Sequence, residues 1–243
     1  MQNEFNKKDI NIYIIKYLVK HGAYINKENL DGETPLFNAC RNENEAVVKY
    51  LVEHGAYINK LNKNGENLLF IASGSGHVTV VKYLVEHGAE VNKENKYGET
   101  PLFKACISGN EIIVKYLIEH GADINKENRD GETPLFKACI IGNEIIVKYL
   151  IELGVNVNKK KGNSETPLFN ACTSGNEIIV EYLVELGADI NKENRDGVTP
   201  IFNACKSGNE AIVEYLIELR ADIHKENKYG ENPLFKACMM EMK

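Results

Sequence analysis

Apolar residues along this chain come in two short bursts separated by a polar turn, and then give way to a longer polar stretch. In one copy Leu36, Ala39 and Cys40 fall at i, i+3 and i+4, the spacing of one face of a short helix. Arg41 to Asn44 is polar and turn-like. Val47, Val48, Leu51 and Val52 then form the stripe of a second helix, and Gly55 is suited to the left-handed position beyond its end. Thr34 has the side chain of a helix N-cap, and Pro35 fits the first helical position, where a missing N–H costs nothing. Ala56 to Glu66, with Asn-Lys and Asn-Gly pairs, reads as an extended loop that turns back toward the next unit.

The same pattern returns along the chain. The phrase E-T-P-L-F opens at Glu33, Glu99, Glu132 and Glu165, with variants at Glu66, Val198 and Glu231, neighbouring copies lying 33 residues apart. A second phrase keeps step through Tyr50, Tyr83, Tyr116, Tyr149, Tyr182 and Tyr215, and Tyr17 belongs to a partial copy. No insertion breaks the register. A pair of such short helices cannot hide its apolar faces alone, whereas stacked pairs can. The phase predicts six whole units at 30–62, 63–95, 96–128, 129–161, 162–194 and 195–227, with partial units at 1–29 and 228–243, all in one domain.

The unit T-P-L-F-x-A-C-x-x-G-N, continued by V-x-Y-L-I-E-x-G-A-D-I-N, closely resembles the ankyrin repeat, T-P-L-H-x-A-A-x-x-G-H followed by V-V-x-L-L-x-x-G-A-D-V-N. The resemblance covers nearly the whole chain. It implies an all-α solenoid of stacked helix-turn-helix units with protruding β-hairpin-like loops. It also implies a non-enzymatic scaffold or adaptor that meets a protein partner at its loop tips and the concave side of its first helices. The departures are regular: Phe37, Phe70, Phe103, Phe136, Phe169, Phe202 and Phe235 stand where the family has His. That His helps hydrogen-bond neighbouring loops in the family, so polar tethering should weaken here while Phe buries more apolar area.

Composition narrows the function. With 43% hydrophobic residues the chain can bury a core. A net charge of −6 and a pI near 5.6 argue against nucleic acid or an anionic membrane as partner. No apolar run approaches the roughly 20 residues needed to span a bilayer. The polar start of the chain resembles neither a signal nor a transit peptide, so the expected compartment is the cytoplasm.

The residues with chemical potential fall into columns, and no cofactor, metal or catalytic group is expected among them. Cys40, Cys106, Cys139, Cys172, Cys205 and Cys238 share one position, filled by Ser73 in the second unit. Stacked helices lie roughly 8–10 Å apart, too far for the roughly 7 Å Cα separation of a disulfide, and no C-x-x-C offers zinc spacing. They read as buried, reduced core thiols. His21, His54, His87 and His120 precede the Gly that ends the second helix, where an imidazolium suits the helix dipole. The Tyr and Phe columns both read as core rather than as stacking platforms. The glutamates Glu33, Glu66, Glu99, Glu132, Glu165 and Glu231 read as a solvated ridge balanced by loop lysines such as Lys60, Lys93 and Lys159.

Binding is sought where the chain breaks its own template. Ile107, Ile140 and Ile141 occupy positions that elsewhere hold Arg, Lys, Thr or Ser, and exposed apolar patches mark interaction sites. Tyr97, Lys104, Arg129, Asp130 and Lys137, with Asn170, Thr173, Arg195 and Asp196, complete the expected surface as a polar rim. Two soft places are expected, at Gly74 and Gly76 in the second unit and at the loop 159–164. The tail Met239 to Lys243 follows only a first helix, so that end either belongs to a longer chain or docks on something, another copy being one candidate. The alternative function is a structural or self-associating rod.

Overall fold

First helices start at Pro35, Pro101, Pro134, Pro167, Pro200 and Pro233, and second helices follow Asn44, Asn110, Asn143, Asn176 and Asn209; the two helices of the 63–95 repeat follow Asn67 and His77 instead. The computed structural model describes residues 7–238, with side chains from residue 12. Among them are fourteen helices and no strand. In residues 1–123 these are α1 (Lys7–Lys20), α2 (Pro35–Arg41), α3 (Glu45–Glu53), α4 (Leu68–Ser75), α5 (Val78–Glu86), α6 (Pro101–Ser108) and α7 (Glu111–Glu119). In residues 124–243 they are α8 (Pro134–Ile141), α9 (Glu144–Glu152), α10 (Pro167–Ser174), α11 (Glu177–Glu185), α12 (Pro200–Ser207), α13 (Glu210–Glu218) and α14 (Pro233–Cys238).

Within the first of these two units α2, α4 and α6 pack in one layer, and α1, α3, α5 and α7 in a second. The second unit repeats the plan, with α8, α10, α12 and α14 in one row and α9, α11 and α13 in the other. Leu36, Phe37, Cys40, Val48 and their copies fill the space between layers, and the six phenylalanines from Phe37 to Phe202 are wholly buried. The seventh, Phe235, is exposed.

Capping differs from expectation. Thr34, Thr100, Thr133, Thr166 and Thr199 occupy the N-cap position, yet none makes a side-chain cap and each Oγ1 is buried without a partner. The first turn is closed by backbone instead, as where Phe103 N donates to Thr100 O at 3.0 Å. Proline has already removed one of the orphan N–H groups a cap would satisfy. Asn67, which replaces Thr in the second unit, does cap, accepting from Phe70 N at 2.8 Å. The second helices are capped by Asn44, Asn110, Asn143, Asn176 and Asn209.

Neither expected soft place is a break. Gly76 is the left-handed C-cap of α4, the same role that Gly109, Gly142, Gly175 and Gly208 play elsewhere, and α4 runs unbroken past Gly74. The loop at 161–164 keeps the frame of its relatives, with Lys161 N donating to Glu165 O at 2.9 Å. The tail from Met239 lies outside the described residues.

Three side chains do carry strain. Glu43 (φ 52°), Ser164 (φ 71°) and Arg220 (φ 66°) stand left-handed at positions where other copies have glycine. A Cβ in that region is unfavourable by roughly 1–2 kcal/mol. Glu43→Gly and Arg220→Gly are each expected to raise the unfolding free energy by about 1 kcal/mol, checked by urea denaturation; a loss of stability in both would refute the assignment.

Candidate protein-interaction surface

Loops join their neighbours through single backbone hydrogen bonds rather than strand ladders. Lys63 N donates to Asp31 O at 2.8 Å and Lys96 N to Asn64 O at 2.9 Å in the first unit. In the second, Gly162 N donates to Asp130 O at 2.6 Å, Arg195 N to Asn163 O at 2.9 Å and Lys228 N to Asp196 O at 2.8 Å. The polar tether that the Phe column forgoes is supplied by an asparagine column not singled out from the sequence. Asn26 donates to Gly55 O at 2.9 Å while its Oδ1 accepts from Tyr57 N at 3.0 Å. Asn59, Asn92, Asn158 and Asn191 repeat this two-way clamp. Strict recurrence was the available signal; the partner, 29 to 31 residues ahead, was not visible in one dimension.

The glutamate column is not a solvated ridge. Glu132 is buried and receives Lys137 Nζ at 2.7 Å and Lys161 Nζ at 3.3 Å. Burial pushes its carboxyl up, but the hydrogen bond and charge of Lys137, then Lys161, outweigh this and hold it below the usual carboxylate range. Glu33 pairs with Arg41 at 2.5 Å, and Glu231 with Lys236 at 2.6 Å. The loop lysines serve a different set: Lys60 meets Glu28, Lys159 meets Glu127 and Lys225 meets Glu193.

The tyrosine column also departs from expectation. Tyr50, Tyr83, Tyr116, Tyr149, Tyr182 and Tyr215 are half-buried along the second helices rather than core, and Tyr17 is exposed. Tyr17, Tyr50, Tyr83 and Tyr116 each lie against the histidine four residues on, ring centroids 3.9–4.1 Å apart. Those histidines place Nδ1 at 2.7–2.8 Å from the tyrosine carbonyl, satisfying the helix end directly. Lys16, Lys49 and Lys82 lie over the tyrosine of the following repeat at 5.6–5.8 Å, within cation–π range.

The cysteine column is buried at Cys40, Cys106, Cys139 and Cys172, as expected, but Cys205 is half-buried and Cys238 exposed. Among the described residues no cluster of three or more His, Cys, Asp or Glu could hold a metal. None of their helices is long and apolar enough to cross a membrane.

The predicted binding residues divide between the two units. In residues 1–123, Tyr97 stands exposed at a loop tip, its N–H held by Asn95 Oδ1 at 2.8 Å. Lys104 lies over the Phe70 ring at 5.2 Å, and Ile107 is half-buried. In residues 124–243, Ile140 and Ile141 are 37% and 48% exposed at the end of α8. Lys137 is not a free rim cation, being ion-paired to Glu132. Asn170 donates to Phe136 O at 3.0 Å, tying α10 to α8, and Thr173 Oγ1 donates to Phe169 O at 2.9 Å. Asp196 accepts from Lys228 Nζ. Arg129, Asp130 and Arg195 do converge, lining an open groove of about 420 Å³ with Glu132, Lys161, Gly162 and Asn163. Lys161, Gly162 and Asn163 were read from the sequence as part of a bend.

The family model described as ankyrin repeats (3 copies) matches residues 6–62, 56–128, 124–194 and 187–243. Among solved structures, the human ASB11 ankyrin repeat domain is similar at 30% identity and a TM-score of 0.76, over 84% of this chain and 92% of that one. No curated protein sequence matches the chain. Repeats of this kind are in general modules of protein–protein interaction, and with its helix pairs, turn loops and family model in agreement, this chain belongs to the ankyrin repeat family.

Proposed function

We propose that the protein is a non-enzymatic cytoplasmic adaptor that captures a protein partner on its first-helix faces and loop tips, with Ile140 and Ile141 as the apolar anchor. The exposure of those two isoleucines carries the reading. The same two positions hold Arg41-Asn42, Thr173-Ser174 and Lys206-Ser207 in other copies, so the fold has no need of apolar side chains there. An exposed branched pair suits the centre of an interface, where apolar side chains are fully desolvated within a polar rim. Arg129, Asp130, Lys137, Asn170, Thr173, Arg195 and Asp196 of the same unit supply contacts around it, and Tyr97, Lys104 and Ile107 are proposed as the partner contacts of the other unit.

The double variant Ile140→Ser/Ile141→Ser is expected to keep its helical circular dichroism and its melting temperature while partner capture from source-cell extract falls at least tenfold. Capture at unchanged affinity would place the site elsewhere. A second reading, self-association into a rod, draws on Leu234 and Phe235, 66% and 56% exposed on α14. Sedimentation over a hundredfold concentration range separates the two, since a rod-former grows with concentration and an adaptor stays monomeric.

A further inference from the structure

The loop at Gly162-Asn163 removes two charges at once, and what it leaves behind is an unmatched pair. In the following step of the row Lys228 reaches back 32 residues to the carboxylate of Asp196. The corresponding residue that would reach Asp130 is Gly162, which has no side chain. The corresponding carboxylate that would receive Arg195 is at Asn163, which has no charge. Among the described residues neither Asp130 nor Arg195 makes an ion pair, nor does Arg129, which adds a second unmatched cation beside Asp130, and all three line the groove whose middle loop is 161–163.

An exposed ion pair contributes little to stability, so its absence costs the free protein little. The balance changes when a partner covers the groove. A charge that is then desolvated without a mate opposes binding strongly, and one that finds a mate favours it. The notch therefore selects for what the loop lacks. Glu132 and Lys161 do not alter this, because each is already engaged by the other and by Lys137 or Glu165.

We infer that the notch between the Arg129-Asp130 and Arg195-Asp196 loops receives a segment of the partner protein bearing one acidic and one basic side chain, the acid placed against Arg195 and the base against Asp130. The segment takes the place of the missing side chains at 162 and 163. Its two opposite charges fix the direction in which it lies across the loops. This deepens the adaptor reading and rests on it.

The experiment selects displayed random 12-residue peptides on the intact chain, then measures the winners against Gly162→Lys, Asn163→Asp and the double variant, which restore the pairs internally. A Cβ at Gly162 would stand 3.0 Å from Asp130 O, so the two loops must part by a few tenths of an ångström, from the 2.6 Å N–H to carbonyl spacing at Gly162 toward the 2.8 Å that Lys63 and Lys228 show. Unchanged melting temperature verifies folding. Winners are expected to carry both an acidic and a basic residue. Gly162→Lys should weaken them about tenfold, with the loss removed by neutralising the peptide's base, and Asn163→Asp should do the same through its acid. Winners that bind wild type and double variant equally, or that lack either charge, would overturn the proposal. So would equal competition by inorganic phosphate or a single-stranded oligonucleotide, which would point to an anion site instead. Peptides lost in Ile140→Ser/Ile141→Ser but kept in the double loop variant would leave the adaptor reading standing and remove the notch from it.

Discussion

Phe136→Ala is expected to lower the unfolding free energy by roughly 3–5 kcal/mol, the range for truncating a buried aromatic. Phe136 is wholly buried, so removing the ring forfeits its transfer energy and leaves a void that close-packed surroundings fill only in part. The same substitution at Phe235 changes stability by less than about 1 kcal/mol, because that ring is largely in water already. The two residues share a letter and a column, so the comparison isolates burial from chemistry. Urea titration followed by circular dichroism reads the difference as a shift in midpoint. Equal shifts for the two variants would mean that the Phe column does not form the interior.

The second large effect is in thiol chemistry. At pH 8 a disulfide-exchange reagent is expected to modify one cysteine rapidly, Cys238, with Cys205 slower and Cys40, Cys106, Cys139 and Cys172 protected. Burial pushes the Cys40 thiol from 9.0 to about 12, and Arg41 offsets this only slightly. A thiol held that far above its ordinary range stays protonated at pH 8, and the reagent must in addition wait for local opening. Burial raises Cys106 and Cys172 in the same way. Cys238→Ser should abolish the fast phase and leave the slow ones intact. A fast phase of more than one equivalent, or one that survives Cys238→Ser, contradicts the arrangement. Six uniformly slow thiols were the expectation from the sequence; position in the row divides them.

Ser73 illustrates how far a column can be read from letters. It fills the cysteine position in the second unit and is buried as Cys40 and Cys106 are, but its hydroxyl has no partner. Recurrence showed that the position is interior. It did not show that a polar atom there goes unmatched, because neighbours in the stack come from other repeats. The threonines before each proline make the same point, since their residue type announced a cap that their buried hydroxyls do not form.

Spacing alone was enough to establish the 33-residue unit, the two helices in each, their stop positions and the aliphatic and Phe interior. These rest on burial of apolar area, which is non-directional and leaves its trace as periodicity. Placement in space was needed for the rest. Phe37 and Tyr50 are both aromatic, both recurrent and both flanked by aliphatics, yet one is enclosed and the other lies half in water beside a histidine. Which way a side chain leaves the helix pair depends on how the next pair stacks against it. The asparagine clamps, the Glu132–Lys161 pairing and the open notch at Gly162-Asn163 depend on contacts about 30 residues apart. Hydrogen bonds and ion pairs act over a few ångströms and in fixed directions, so their partners become known only when the loops are laid side by side.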